Sequence, residues 1–108
     1  MSDSVYVRWD DLAWRDTPHA GVRWKKLHFS GPGRGSAVLL EFEPGASYGA
    51  HRHPQGEEYL VLRGSLEDGG RTWEAGSYVN HPPGSSHRPS SREGCLLFVT
   101  LPEPIEVI

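Results

Sequence analysis

Three histidines and a glutamate at metal-chelating spacing are the most informative feature of the sequence. His51 and His53 are separated by one residue, and side chains two residues apart on a β-strand point to the same face, with Cα atoms about 6–7 Å apart. Glu57 or its neighbour Glu58 can add a carboxylate oxygen after a Pro-Gln-Gly turn, and His87 follows a later Pro-Gly turn. Three imidazole nitrogens and one carboxylate suit a divalent transition metal and leave coordination positions free for water or a substrate.

Alternation of apolar residues with a period of two predicts the β-strands that position this cluster. The segment 59–62 is apolar on both faces and is expected to be a central strand, and Asp68-Gly69-Gly70 is typical of a tight hairpin turn. The only helical candidate, 9–14, is long enough for about one turn. Frequent turn signals favour a sandwich or barrel. The other predicted strands lie at 5–9, 22–24, 37–42, 65–67, 71–73, 77–79 and 95–101.

Length and composition exclude several classes of protein. A chain of 108 residues has room for one domain. Its 11 Lys and Arg against 14 Asp and Glu leave a net charge of −3, which argues against a nucleic-acid partner. No apolar run is long enough to cross a membrane. The single cysteine, Cys95, and an N-terminus without a signal-peptide pattern lead us to expect a cytoplasmic protein.

The spacing of these residues resembles the two motifs of the cupin superfamily. The first motif corresponds to Gly45, His51, His53, Glu57 and Gly64, and the second to Gly76, Pro82, Gly84 and His87. The Asn that usually closes the second motif is replaced by Ser91, but that Asn is not a metal ligand in the family. The strings EEYLVLRG (57–64) and PPGSSHRP (82–89) resemble more narrowly the ChrR-type cupin of zinc-dependent anti-sigma factors, over residues 20–101.

The resemblance implies an all-β, single-domain antiparallel cupin barrel, also called a double-stranded β-helix or jelly roll. The barrel would span 21–101, with an N-terminal strand or arm at 1–20 and a C-terminal tail at 102–108. It also implies one divalent metal per chain, and family spacing favours Glu57 over Glu58 as the carboxylate ligand. Zn, Fe, Mn, Ni, Cu and Co are equally compatible with this donor set. The ligands implied are His51, His53, Glu57 and His87.

Other residues have two competing interpretations. Five aromatic side chains either line a cavity beside the metal or belong to the core, namely Trp24, Phe42, Tyr48, Tyr59 and Phe98. His81 is expected at the rim of the site, and His19 and His28 on the ordinary surface. Cys95 lies in an apolar run and is expected to be a small buried side chain.

Two functions remain open, and a third is weaker. An open metal site beside a cavity favours an oxygenase-type enzyme that acts on a small organic substrate. The alternative is a sensor or regulatory module that binds a metal or small ligand without catalysis, as the anti-sigma resemblance implies. Metal-free sugar epimerases of the same fold usually lack this ligand set.

A homodimer is also expected from the apolar faces. If Glu57 points into the barrel, Leu60 and Leu62 point outwards and need a cover. A second copy, which contributes its own sheet or its N-terminal strand around Val5, Val7 and Trp9, can supply that cover. The alternative is that residues 1–20 fold back over the same chain.

Overall fold

The computed structural model describes residues 4–29, 35–102 and 106–107, which fold almost entirely into antiparallel β-structure. The described part of the chain contains one short 3-10 helix, Trp9–Asp11, and no helix in it is long and apolar enough to cross a membrane. The all-β prediction is confirmed. The strands are β1 (Arg15–Asp16), β2 (Val22–Phe29), β3 (Ser36–Phe42), β4 (Ala46–Ser47), β5 (His51–His53), β6 (Glu57–Asp68), β7 (Arg71–Glu74), β8 (Tyr78–His81), β9 (Ser85–His87), β10 (Ser90–Ser91), β11 (Cys95–Leu101) and β12 (Glu106–Val107).

The main sheet carries the hydrophobic core on one of its faces. Its strands β2, β3, β11 and β6 lie side by side in that order, all antiparallel. In the β3–β11 pair, Leu97 lies opposite Leu40 and Val99 opposite Val38. Because both strands alternate with a period of two, these residues share one face. The core is built on that face by Val22, Val38, Phe42, Tyr59, Val61, Leu66, Leu97 and Val99.

The described residues also form a second, smaller sheet. It consists of β12, β5 and β9, and β5 pairs antiparallel with β9. Residues 106–107, predicted as part of a tail, form β12 and pair with β5. Residues 1–3 of the predicted arm, and 103–105 and 108 of the predicted tail, lie outside the described residues. The division of the chain into arm, barrel and tail stays a prediction.

Strand β6 bends in its middle. Leu96 of β11 pairs with Arg63 and Leu97 with Val61, so that Leu62 bulges out of the ladder. Gly64 lies beside this bulge at φ 73°, and a Cβ there would lie 2.1 Å from the carbonyl oxygen of Gly94. Past the bend, β6 runs on to Asp68 and turns back into β7, which confirms the predicted hairpin.

The predicted strand at 5–9 is wrong. Residues 4–8 form no strand, and Trp9 begins the 3-10 turn, in agreement with the one-turn helix expected there. The Trp9 carbonyl accepts a hydrogen bond of 2.9 Å from Lys25 Nζ, and that ammonium lies 4.8 Å from the centre of the Trp14 ring. The segment therefore crosses the outer face of β2 and buries Lys25.

The outer face around β6 has less cover. β6 is a central strand, as predicted, because it pairs with β11 and with β8. Leu60 is nevertheless 36% exposed and its neighbour Tyr78 is 58% exposed. The described N-terminal residues cover Lys25 on β2 and leave Leu60 open to solvent.

Candidate metal centre

The register of two short strands brings the three histidines together. His51 and His53 are the first and last residues of β5, both buried on the same face. The β5–β9 pairing places His87 directly opposite His51, which brings their ring centroids within 4.3 Å. The sequence motif therefore encodes a β-ladder with imidazoles on both strands.

A tight turn then returns Glu57 to the same space. Gly56 adopts φ 87°, and a Cβ at this position would lie 2.9 Å from the carbonyl oxygen of His81. Only glycine accommodates both the left-handed backbone and this close approach. Glu57 begins β6 immediately afterwards and is almost fully buried, with 10% of its side chain exposed.

The ligand atoms of His51, His53, Glu57 and His87 lie within 4.8 Å of one another. The Nε2 atoms of His53 and His87 are 3.0 Å apart, and the Glu57 carboxylate lies 3.2 Å from His53 Nε2 and 3.5 Å from His87 Nε2. Two nitrogens bound to one metal at about 2.1 Å and at right angles are about 3.0 Å apart. This cluster is able to bind a metal.

Hydrogen bonds orient two of the imidazoles. His51 Nδ1 lies 3.0 Å from the Gly49 carbonyl oxygen, so Nδ1–H donates and Nε2 keeps its lone pair. His87 Nδ1 lies 3.1 Å from both oxygens of Asp68, an arrangement that also turns the Nε2 lone pair toward the cluster. Such outer hydrogen bonds fix the tautomer of a metal-binding histidine and make it a stronger ligand.

Burial sets the protonation states of the cluster. Desolvation lowers the pKa of His51 to about 4 and, together with the neighbouring histidines, that of His53 to about 3. Desolvation, followed by repulsion from Asp68, raises the pKa of Glu57 to about 8. At neutral pH the two imidazoles of β5 are therefore neutral, as metal binding requires, and Glu57 carries a proton that a metal must displace.

Asp68 belongs to the site, although the sequence analysis treated it only as a turn residue. Its side chain is buried and accepts hydrogen bonds from Tyr59 at 2.6 Å and from His81 at 2.8 Å, in addition to the contact with His87. Burial alone would raise the pKa of Asp68, but the hydrogen bonds from His87, Tyr59 and His81 outweigh it and hold the pKa below its ordinary value.

The bulge in β6 explains why Asp68 was missed. Asp68 follows Glu57 by an odd number of residues, so a regular strand would place the two side chains on opposite faces. The extra residue at the bulge shifts this alternation by one, and both carboxylates face the interior. The Gly64 position was the available signal, because glycine inside a strand often marks a bulge.

Several other predictions concern the surroundings of the cluster. Glu58 is exposed on the outer face, where it accepts hydrogen bonds from Tyr78 and Thr100. His28 is exposed, as predicted. His19 is not an ordinary surface residue, because its ring lies 4.2 Å from that of Tyr48, beside the cluster.

A cavity of about 240 Å³ opens from the metal cluster into the core. Four of the five aromatic candidates line this cavity. Phe98 does not line it, because its neighbours Leu97 and Val99 face the cavity and alternate residues of a strand point to opposite faces. Phe98 instead pairs with Leu60 on the outer face. The aromatic residues of the wall are Trp24, Phe42, Tyr48 and Tyr59.

Residues 2–103 match the family described as the ChrR Cupin-like domain. A comparison with curated protein sequences gives no match. Among solved structures, a proposed acetylacetone dioxygenase from Methylibium petroleiphilum is 23% identical with a TM-score of 0.93, over 100% of this chain and 83% of that one. An acetylacetone dioxygenase from Acinetobacter johnsonii is 20% identical with a TM-score of 0.84, over 100% and 78% of the two chains.

The anti-sigma factor ChrR of Rhodobacter sphaeroides, solved in complex with SigE, is also similar. It is 28% identical with a TM-score of 0.74, over 87% of this chain and 50% of that one. The likeness to the two dioxygenases, below 25% identity, establishes the cupin fold. These matches confirm the predicted fold and family.

Proposed function

This chain belongs to the ChrR cupin-like domain family, and we propose that it is a metal-dependent enzyme of the oxygenase type that acts on a small organic substrate. The observation that carries the proposal is the position of the His51, His53, Glu57 and His87 cluster, which forms one wall of a cavity large enough for a small molecule. The acetylacetone dioxygenases, which share the fold, add support for this class of reaction.

A bound divalent metal would act as a Lewis acid with open positions, able to hold a substrate oxygen and a second reactant together. The protein supplies the geometry. Hydrogen bonds from His51 Nδ1 to Gly49 and from His87 Nδ1 to Asp68 aim two imidazoles at one point. The largely apolar lining of the cavity would limit the water around the reacting centre.

We propose one metal ion per chain, with iron as the ion for oxygenase activity, since iron in open His and carboxylate sites is the usual metal of oxygenases. The test is oxygen uptake by the iron-reconstituted protein with a panel of β-diketones and catechols. Uptake above that of iron-reconstituted His53→Ala is expected. Equal rates for the two proteins would contradict the proposal.

A regulatory module that binds a ligand without turnover is the second candidate. It is supported by the 28% identity to the anti-sigma factor ChrR, the highest of the three likenesses reported above. In this case the metal-loaded protein would retain a small molecule and consume no oxygen. Mass spectrometry of the protein under non-denaturing conditions separates the two functions, because a retained ligand would be visible as added mass.

We also propose that the protein is a cytoplasmic homodimer. The exposure of Leu60 and Tyr78 on the outer face of the main sheet supports a partner that covers them, and the single buried Cys95 suits a reducing compartment. Sedimentation equilibrium at micromolar concentration is expected to give twice the chain mass. The monomer mass at all concentrations would contradict the dimer.

A further inference from the structure

We propose that the cavity beside the metal cluster selects a small, uncharged ligand with an apolar body and one oxygen-bearing end, and that it rejects carboxylates and phosphates of the same size. This inference rests on the proposed metal centre, which would bind the oxygen-bearing end. It is carried by the composition of the walls, by the charges around them and by the size of the space.

The walls away from the metal cluster are mostly hydrocarbon. β3 contributes Val38, Leu40 and Phe42, and β11 contributes Leu97 and Val99, all at alternate positions that face the cavity. The side-chain donors in this part of the lining are Ser36, at the start of β3, Trp24 and Tyr48. A ligand packed against β3 and β11 therefore has to be apolar over most of its surface, since a buried polar group without a partner is unfavourable.

No lysine or arginine is among the described residues that line the cavity. The basic side chains of β2 next to it have other partners. Arg23 forms an ion pair with Glu41, Lys25 donates to the Trp9 carbonyl on the outer face, and the exposed Lys26 lies over the Trp24 and Phe29 rings. The described lining of the cavity thus offers no lysine or arginine to an anionic ligand.

The charge of a bound divalent metal would already be matched by the protein. Glu57 lies within the cluster, and Asp68 contacts His87 Nδ1, so that two carboxylates would lie near a divalent ion. An anionic ligand would add an uncompensated negative charge to an apolar enclosure, and this is strongly unfavourable. A ketone, enol or alcohol that enters without charge avoids that cost.

The size of the cavity limits the ligand further. About 240 Å³ lies below the range of roughly 300–1,000 Å³ that is common for ligand pockets. Phe42 and Leu66, which form part of the wall, are fully buried and packed, so the cavity cannot expand in their direction. The ligand is therefore expected to be a short or branched aliphatic molecule or a single ring.

The test compares two probes of equal shape, 4-methylpentan-2-one and 3-methylbutanoate, in which a methyl group replaces a carboxylate oxygen. Each is titrated into the Zn-loaded protein, and amide shifts are followed by two-dimensional NMR. Zn supports no oxygen chemistry, so binding is measured without turnover. We expect the ketone to shift amides of β3 and β11 with a Kd at least about tenfold lower than that of the carboxylate.

Equal affinities, a preference for the carboxylate, or no shifts with either probe would overturn the inference. Leu101→Lys places a cation at the partly buried end of the cavity and is expected to increase the affinity for the carboxylate by about tenfold, whereas the matched Leu101→Met variant does not. An unchanged preference in folded Leu101→Lys would also overturn it. If that variant fails to fold, the two probes still decide the question with the wild-type protein.

The outcome is separable from that of the proposed function. Ketone binding by the Zn form without oxygen uptake by the iron form would refute the oxygenase proposal alone. Oxygen uptake together with a preference for carboxylates would refute the ligand inference alone. A wild-type protein that retains no Zn would refute both.

Discussion

Metal binding at neutral pH is expected to release nearly one proton from Glu57. Burial raises the pKa of Glu57 to about 8, whereas it lowers the pKa values of His51 and His53 to about 4 and 3. At pH 7 a group with a pKa near 8 is about nine-tenths protonated, so a metal that binds its carboxylate displaces about 0.9 of a proton. The two β5 imidazoles are already neutral and release none.

The magnitude of the effect on affinity follows from the same shift. Protonation of Glu57 lowers the apparent affinity about fivefold from pH 8 to pH 7 and about ninefold from pH 7 to pH 6, because the proton competes with the metal. From pH 8 to pH 6 this amounts to about 2 kcal/mol. Competition by protons at His51 and His53 becomes important only at about pH 4 and below, since their pKa values are about 4 and about 3.

Isothermal titration calorimetry with Zn at pH 7, in buffers of different ionisation enthalpy, counts the released protons directly. The matched control is Glu57→Gln, which keeps the shape of the side chain but holds no exchangeable acid proton. We expect a proton release that is larger in the wild type than in Glu57→Gln by nearly one. Equal release from the two proteins would refute the assignment of a protonated, metal-displaceable carboxyl group to Glu57.

Three further predictions concern single side chains. Asp68→Asn is expected to lower metal affinity about 10–100-fold in a protein that stays folded, because the charged partner of His87 is lost. Chelator competition measures the affinity and circular dichroism the folded state, and an affinity equal to that of the wild type would contradict the role of Asp68 as the partner of His87. Glu57→Gln is expected to weaken Zn binding more than Glu58→Gln, since Glu58 lies exposed on the outer face, and the reverse order would identify Glu58 as the ligand. Gly64→Ala is expected to lower the free energy of unfolding by more than about 2 kcal/mol, because its Cβ would overlap a carbonyl oxygen. Gly69 has a similar φ but open space around a Cβ, so Gly69→Ala is expected to lower the free energy of unfolding by only about 1 kcal/mol. Equal losses for the two variants in urea denaturation would contradict the overlap at Gly64.

The parts of the fold that could be predicted from sequence are those with local signals. The alternation in 95–101 coincides with β11, and Asp68-Gly69-Gly70 coincides with a hairpin turn. The spacing of His51 and His53 is a property of any β-strand and needs no tertiary information. His87 was expected to join them, from the Pro-Gly turn before it and from the family resemblance. Its position opposite His51 was not predicted, since it depends on the register of strands far apart in the chain.

The features that could not be predicted depend on long-range context. Alternation at residues 5–9 suggested a strand, but a strand needs a hydrogen-bonded neighbour, and the described part of this segment has none. The face on which Phe98 lies depends on the pairing of β11 and could not be decided from alternation alone. Asp68 reaches the site through a bulge whose position is fixed by the contact of Gly64 with Gly94.

The central claim is that three imidazoles and one carboxylate form a single metal site. Equilibrium dialysis against Zn, followed by elemental analysis, tests it most directly when the wild type is compared with His51→Ala, His53→Ala and His87→Ala. We expect about one Zn per wild-type chain and loss of most of it in each variant, because three remaining ligands form a poorly matched site. A wild type without stoichiometric Zn, or variants that retain it in full, would contradict the account.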